Sequence, residues 1–188
     1  MTEFPIFLTE RTEFSDEIYG VIGRALAFAT SFEMNCKAVE GVMGIKELRG
    51  SGQSEQAMED FCGELEKKVL KRRIDSITNR LTKKPDSGAQ RGGDAPNLVE
   101  EFVTWLSHKL EAARDARNEI AHDVTKGIEH CAEDAEQRAY IIERVGALVR
   151  TIAEADFFVY NLCQGLTNEP TYKGDYCEDA VKWVCEVA

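Results

Sequence analysis

Arg117-Asn118-Glu119-Ile120-Ala121-His122 places a permanent cation, a small amide and the one side chain that titrates near neutral pH within six residues. A guanidinium presents a rigid fork of donors that matches a phosphate. An imidazole takes or gives a proton at physiological pH. Asn118 and His122 are four residues apart and share a helix face, which Arg114 extends by one more turn. Such a set can act on a phosphodiester without a metal. A histidine at a helix end also has a plain structural use, because it complements the negative pole of the helix. The elements that carry the motif therefore have to be read with it.

Hydrophobic spacing predicts an all-α chain: an antiparallel bundle of four long helices with a short C-terminal addition, in one domain spanning 1–188. The first helix runs from about Glu13 to Met43, with Ile18, Val21, Ile22, Ala25, Phe28, Phe32, Cys36 and Val39 at gaps of mostly three and four. Gly41 and Gly44 are expected to loosen its end, and Gly50-Ser51-Gly52 to break the chain. A second helix is expected over 54–83, capped by Ser54, with Phe61, Leu65, Val69, Leu70, Ile74, Ile77 and Leu81 facing inward. The stretch from Pro85 to Pro96 reads as a surface loop. A third helix starts near Pro96 or Asn97 and buries Leu98, Phe102, Leu106, Leu110, Ala113 and Ile120 before fraying near His122. Arg117 falls on the continuation of that stripe, and an inward charge is costly unless it has a partner or opens to a cleft. The fourth helix covers about 133–165 and the tail 176–187, with Val181, Trp183 and Val184 to bury.

The net charge is -11, which opposes non-specific binding to nucleic acid and demands a local site for any such contact. Between Lys67 and Arg91 stand nine basic residues (Lys67, Lys68, Lys71, Arg72, Arg73, Arg80, Lys83, Lys84 and Arg91) against Asp75 and Asp86, so this segment is +7 and the rest of the chain about -18. Such a segment fits an RNA footprint, or a solvated face that meets a protein partner. Lys67, Lys68, Lys71, Arg72 and Arg73 are its core, and because they lie on a different helix from the motif, RNA binding and cleavage are expected to be separable. The six cysteines form no C-x-x-C pair, and Cys36 and Cys163 read as small buried hydrophobes. His108 and His130 read as surface residues and Trp105 as core. No metal site and no cofactor is expected. Charged residues among the first eleven positions and the lack of a long uncharged run predict a cytoplasmic protein without a membrane partner.

The run Arg117-Asn118-x-x-x-His122 at the end of a third long helix resembles the R-N-x-x-x-H signature of the HEPN superfamily, small helical proteins that include many metal-independent ribonucleases. The motif is the specific part; the helical pattern is shared with many unrelated proteins. The resemblance implies that Arg117 and His122 carry catalysis, with Asn118 as the polar residue after the Arg, and that two copies dimerise so that both motifs line one cleft. It implies an endoribonuclease of toxin or anti-phage defence type, with RNA as substrate and an antitoxin protein as a further partner. Toxins of this superfamily that are silenced by adenylylation carry a Tyr two residues after the His; here that position is Val124. Arg114 and Glu33 are supporting candidates, Glu33 as an orienting group for Arg117 or His122. Arg117 and His122 are expected to line one concave surface. The alternative is a non-catalytic HEPN-like module that binds a nucleotide or a protein partner.

Overall fold

The computed structural model describes residues 13–82, 97–124, 134–167 and 172–186. The loop expected over 85–96, with Arg91, and also Lys83, Lys84, His130 and Cys131, lie outside the described residues. Among those described, six helices and no strand form: α1 (Glu13–Gly50), α2 (Glu55–Lys67), α3 (Leu70–Thr82), α4 (Asn97–His122), α5 (Ala135–Thr167) and α6 (Tyr176–Cys185). No helix among them is long and apolar enough to cross a membrane.

The stripes that predicted α1 and α5 are the ones that build the core. Ile18, Val21, Ile22, Ala25, Phe32, Cys36 and Val39 of α1 meet Val145, Val149, Ile152, Ala155 and Val159 of α5. Burial pushes the Cys36 thiol up, so it packs as a small apolar group. α1 does not end near Met43, as expected, but continues to Gly50. Gly41 and Gly44 do not loosen it; they form the floor on which α2 docks. A Cβ on Gly44 would run into the Phe61 ring, and one on Gly41 would stand 3.1 Å from Leu65. Ser54 caps α2, its hydroxyl accepting from the Ala57 N–H at 3.3 Å.

The expected second helix is two helices. The backbone of Lys68 turns extended (φ -76, ψ 136), and its N–H reaches back to the Leu65 carbonyl to close α2. Residue pairs then fix the directions. From α1 to α2, Lys37 pairs with Glu66 while Gly44 meets Phe61, so the numbers run in opposite senses. From α1 to α3, Glu40 pairs with Lys68 and Arg73 while Glu47 pairs with Arg80, so the numbers rise together. The chain therefore doubles back at Lys68-Val69, and Val69, expected inside, is exposed.

The packing also departs from an antiparallel bundle of four long helices. α1 and α5 run parallel: Glu17 pairs with Arg138, Asn35 with Asp156, and Lys46 with the Leu166 carbonyl. α4 runs against α5, with Glu119 on Arg144, Lys109 on Glu154 and Trp105 edge-on to Phe158. The extra reversal between α2 and α3 is what brings α5 back parallel to α1. Phe102, Trp105 and Trp183, expected inside, are exposed.

α6 closes the end of the packing. Val184 is buried, its carbonyl accepts from Arg24 at 2.8 Å, and Asp175 caps the helix. The Tyr176 hydroxyl donates to Asp156, and Asn35 donates to the other Asp156 oxygen at 2.9 Å. Burial pushes the Asp156 carboxyl above the usual range, and these two hydrogen bonds oppose that shift in part.

Candidate functional site

A cavity of about 540 Å³ opens between α1, the α2–α3 turn and α4. Its lining brings Arg114, Arg117 and Asn118 of α4 together with Glu33 and Lys37 of α1 and with Lys68, Lys71 and Arg73 of the basic segment. The size suits a mononucleotide-scale ligand. Six cations line it, with Glu33 as the lining carboxylate. Glu40, Glu66 and Asp115 stand behind as partners of Lys68, Lys37 and Arg114 respectively. Cations therefore outnumber carboxylates here by two, on a chain whose net charge is -11.

α4 presents this set because its other side is anchored. Leu110, Ala113, Ala116 and Ile120 are buried, which turns Arg114, Arg117 and Asn118 outward between α1 and α3. Glu33 Oε1 lies 2.6 Å from Arg117 Nε, so the acid on the first helix and the motif Arg form an ion pair at the cavity wall. Arg117 Nη1 also donates to Asn118 Oδ1 at 3.3 Å. Held from one side, the guanidinium keeps its remaining donors for an oxyanion. Arg114 donates twice to Asp115 Oδ1, at 3.0 and 2.7 Å.

His122 is not part of this lining. It is the last residue of α4 and is exposed. Arg117 and His122 are five residues apart, so they diverge by about 140° around the helix and about 7.5 Å along it. The expectation that both line one concave surface is corrected: Arg117 faces the cavity, and His122 stands one turn beyond Asn118, outside it. The basic segment divides as well. Lys68, Lys71 and Arg73 line the cavity, while Lys67 and Arg72 are exposed and do not. The motif and the basic segment lie on different helices, as expected, but they meet in space: the α2–α3 turn carries three of the five core cations to the motif.

Sequence reasoning placed Arg73 among the candidate RNA-binding cations and did not foresee its burial. Its side chain is 9% exposed, and it stands beside Glu40, which is 0% exposed. Neither residue carries a local sequence signal for burial beyond its helical phase with Ile77 and Cys36. No group of His, Cys, Asp and Glu arranged to hold a metal occurs among the described residues. No protein-family model, curated protein or solved structure matches the chain.

Proposed function

We propose that this chain is a metal-independent endoribonuclease of the HEPN kind, acting as a toxin or in anti-phage defence. The observation that supports this most is the convergence of Arg114, Arg117 and Asn118 with Lys37, Lys68, Lys71 and Arg73 on one cavity of an acidic protein. A concave cationic site on such a chain selects a phosphate-bearing ligand.

In this reading RNA lies with one phosphate against Arg117 and runs past Asn118 toward His122. A base removes the proton of a ribose 2′-hydroxyl, and that oxygen attacks the adjacent phosphorus. The bond from phosphorus to the 5′-oxygen breaks, and the leaving oxygen takes up a proton. The products are a 2′,3′-cyclic phosphate and a free 5′-hydroxyl. Arg117, oriented by Glu33, stabilises the charge that builds on the phosphoryl oxygens. His122 moves one of the two protons, a contribution of roughly 10²–10⁴-fold. Its place on the exposed end of α4 suits a cleft shared by two copies, in which the partner's motif supplies the second proton-transfer group.

The test uses purified protein, a mixed RNA substrate and a strong chelator. Cleavage is expected to persist in chelator, to leave cyclic phosphate ends, and to fall by at least about 10²-fold in His122→Ala. Cleavage that requires added magnesium, or that is indifferent to His122, would remove this reading. One observation favours the second reading, a non-catalytic module that binds a nucleotide or a protein: the cavity excludes His122. Tight RNA binding without turnover by wild type, at any protein concentration, would select it.

A further inference from the structure

The reversal at Lys68-Val69 leaves the N-terminus of α3 in the wall of the cavity, with charges of the wrong sign for a helix that only has to be stable. The positive pole of a helix favours acidic side chains. The first turn of α3 has none; it begins Leu70-Lys71-Arg72-Arg73, directly after Lys67-Lys68-Val69. The first amide to reach a carbonyl of the new helix is that of Arg73, on Val69 at 3.2 Å, so the amides of Leu70, Lys71 and Arg72 precede the ladder. Amides in that position at a helix start are a ready anion site.

Arg73 is the independent sign that an anion belongs there. Its side chain lines the cavity and is 9% exposed. Its Nη1 has no hydrogen-bond partner among the described residues. The nearest carboxylate oxygen, Glu40 Oε2, is 3.9 Å away, beyond hydrogen-bond reach, and is itself unpartnered. Glu40 instead spends its other oxygen on Lys68, at 2.5 Å. A buried guanidinium with an unmet donor is costly, and a small shift of the Arg73 side chain toward an oxyanion in the cavity it lines would meet that donor.

The balance of charge points to one kind of oxyanion. Lys68, Lys71 and Arg73 are opposed by Glu40, and the helix pole adds roughly half a positive charge. A phosphodiester carries one negative charge. A terminal phosphate approaches two above a second pKa of about 6. Depth argues the same way: a strand end can present its phosphate to a buried Arg, whereas a mid-strand phosphate must carry the chain in and out again. We infer that the α3 wall of the cavity is a receptor for the terminal phosphate of an RNA strand, while Arg114, Arg117 and Asn118 hold its backbone on the α4 wall. This rests on the RNA reading above but not on cleavage. If cleavage occurs, the anchored end sets its position, and cuts fall at a fixed distance from the phosphorylated terminus.

The experiment uses His122→Ala protein, to prevent turnover, and one internally labelled single-stranded RNA carrying a 5′-phosphate, a 3′-phosphate, or hydroxyls at both ends. One phosphorylated form is expected to bind about tenfold tighter than the hydroxyl form. Lys71 forms no ion pair among the described residues, so Lys71→Gln should keep the melting temperature and lose most of that preference. Arg73→Gln, checked for folding, should lose it too. Equal affinity for the three RNAs, or a preference that survives both substitutions, overturns the inference. A nucleoside monophosphate that displaces the strand at the strand's own affinity overturns the RNA-end assignment in favour of a free nucleotide. Wild-type turnover of the hydroxyl-ended RNA separates the two readings: cutting without end preference removes this inference alone, and end preference without cutting removes the ribonuclease alone.

Discussion

Glu40 and Asp156 are both fully buried carboxylates at the surface of α1, and they are held in opposite ways. Asp156 projects from α5 into neutral donors, the Asn35 amide and the Tyr176 hydroxyl, and each of its oxygens has a partner. Glu40 projects from α1 into two cations, and one of its oxygens and the facing Arg73 nitrogen, 3.9 Å apart, form an ion pair without a hydrogen bond. The first arrangement is closed and serves to lock α6 onto the bundle. The second is open: charge is gathered, only part of it is satisfied, and the Arg73 side chain that carries an unsatisfied donor lines a cavity. A buried charge by itself therefore does not mark a site. An incomplete hydrogen-bond account next to accessible space does.

The largest effect should come from breaking the open pair. Glu40→Ala leaves Arg73 buried without its counter-charge and should cost about 3–5 kcal/mol in urea unfolding. Inorganic phosphate should recover more stability in this variant than in wild type, because it can replace the lost carboxylate. A loss below about 1 kcal/mol would show that the two sides do not differ in kind.

The closed pair should respond less. Asp156→Ala strands the Asn35 amide and the Tyr176 hydroxyl and should cost about 1–3 kcal/mol. Asp156→Asn sharpens the contrast through pH. The folded-state carboxyl is raised above 3.8 by burial, so the stability that Asp156 contributes is fully present below that value and is lost as pH rises through the folded pKa. The amide does not titrate. The stability of Asp156→Asn relative to wild type should therefore climb between about pH 4 and neutrality, as read from melts across that range. A constant difference would mean that this carboxyl does not titrate differently on folding.

The smallest effects probe the α2 platform that brings Lys68 to Glu40. Gly44→Ala gains helix propensity but drives a methyl into the Phe61 ring, for a net loss of about 1 kcal/mol. Gly23→Ala meets nothing within 4 Å and should gain about 0.5–1 kcal/mol. If the two changes have the same sign in thermal melts, α2 is not seated on α1 as described.

Much of the scaffold was legible because burial on a helix repeats every three or four residues. The stripes of α1 and α5, the cap at Ser54 and the inward anchoring of α4 were all readable in this way. The pairing of Glu33 with Arg117 was foreseeable as one of two options, since Glu33 sits at the edge of the α1 stripe. The α2–α3 reversal was not. No Gly or Pro marks the turn, and Val69, four residues after Leu65, carries the apolar spacing over a step from Leu65 to Leu70 that shifts the helical phase by about 140°.

The chain by itself determined that it is helical, which faces are apolar, and that Arg114, Arg117 and Asn118 share an arc of one helix, because these follow from local periodicity. Only the tertiary structure decided that the second helical stretch doubles back, that α1 and α5 lie parallel, that Lys68, Lys71 and Arg73 reach the motif, and that His122 stays outside the cavity. The reason is physical. A helix continues or reverses according to whether its apolar face finds a second surface to cover, and here the floor at Gly41 and Gly44 offers α2 that surface. Such a preference lies in contacts between distant residues and not in the spacing of neighbours.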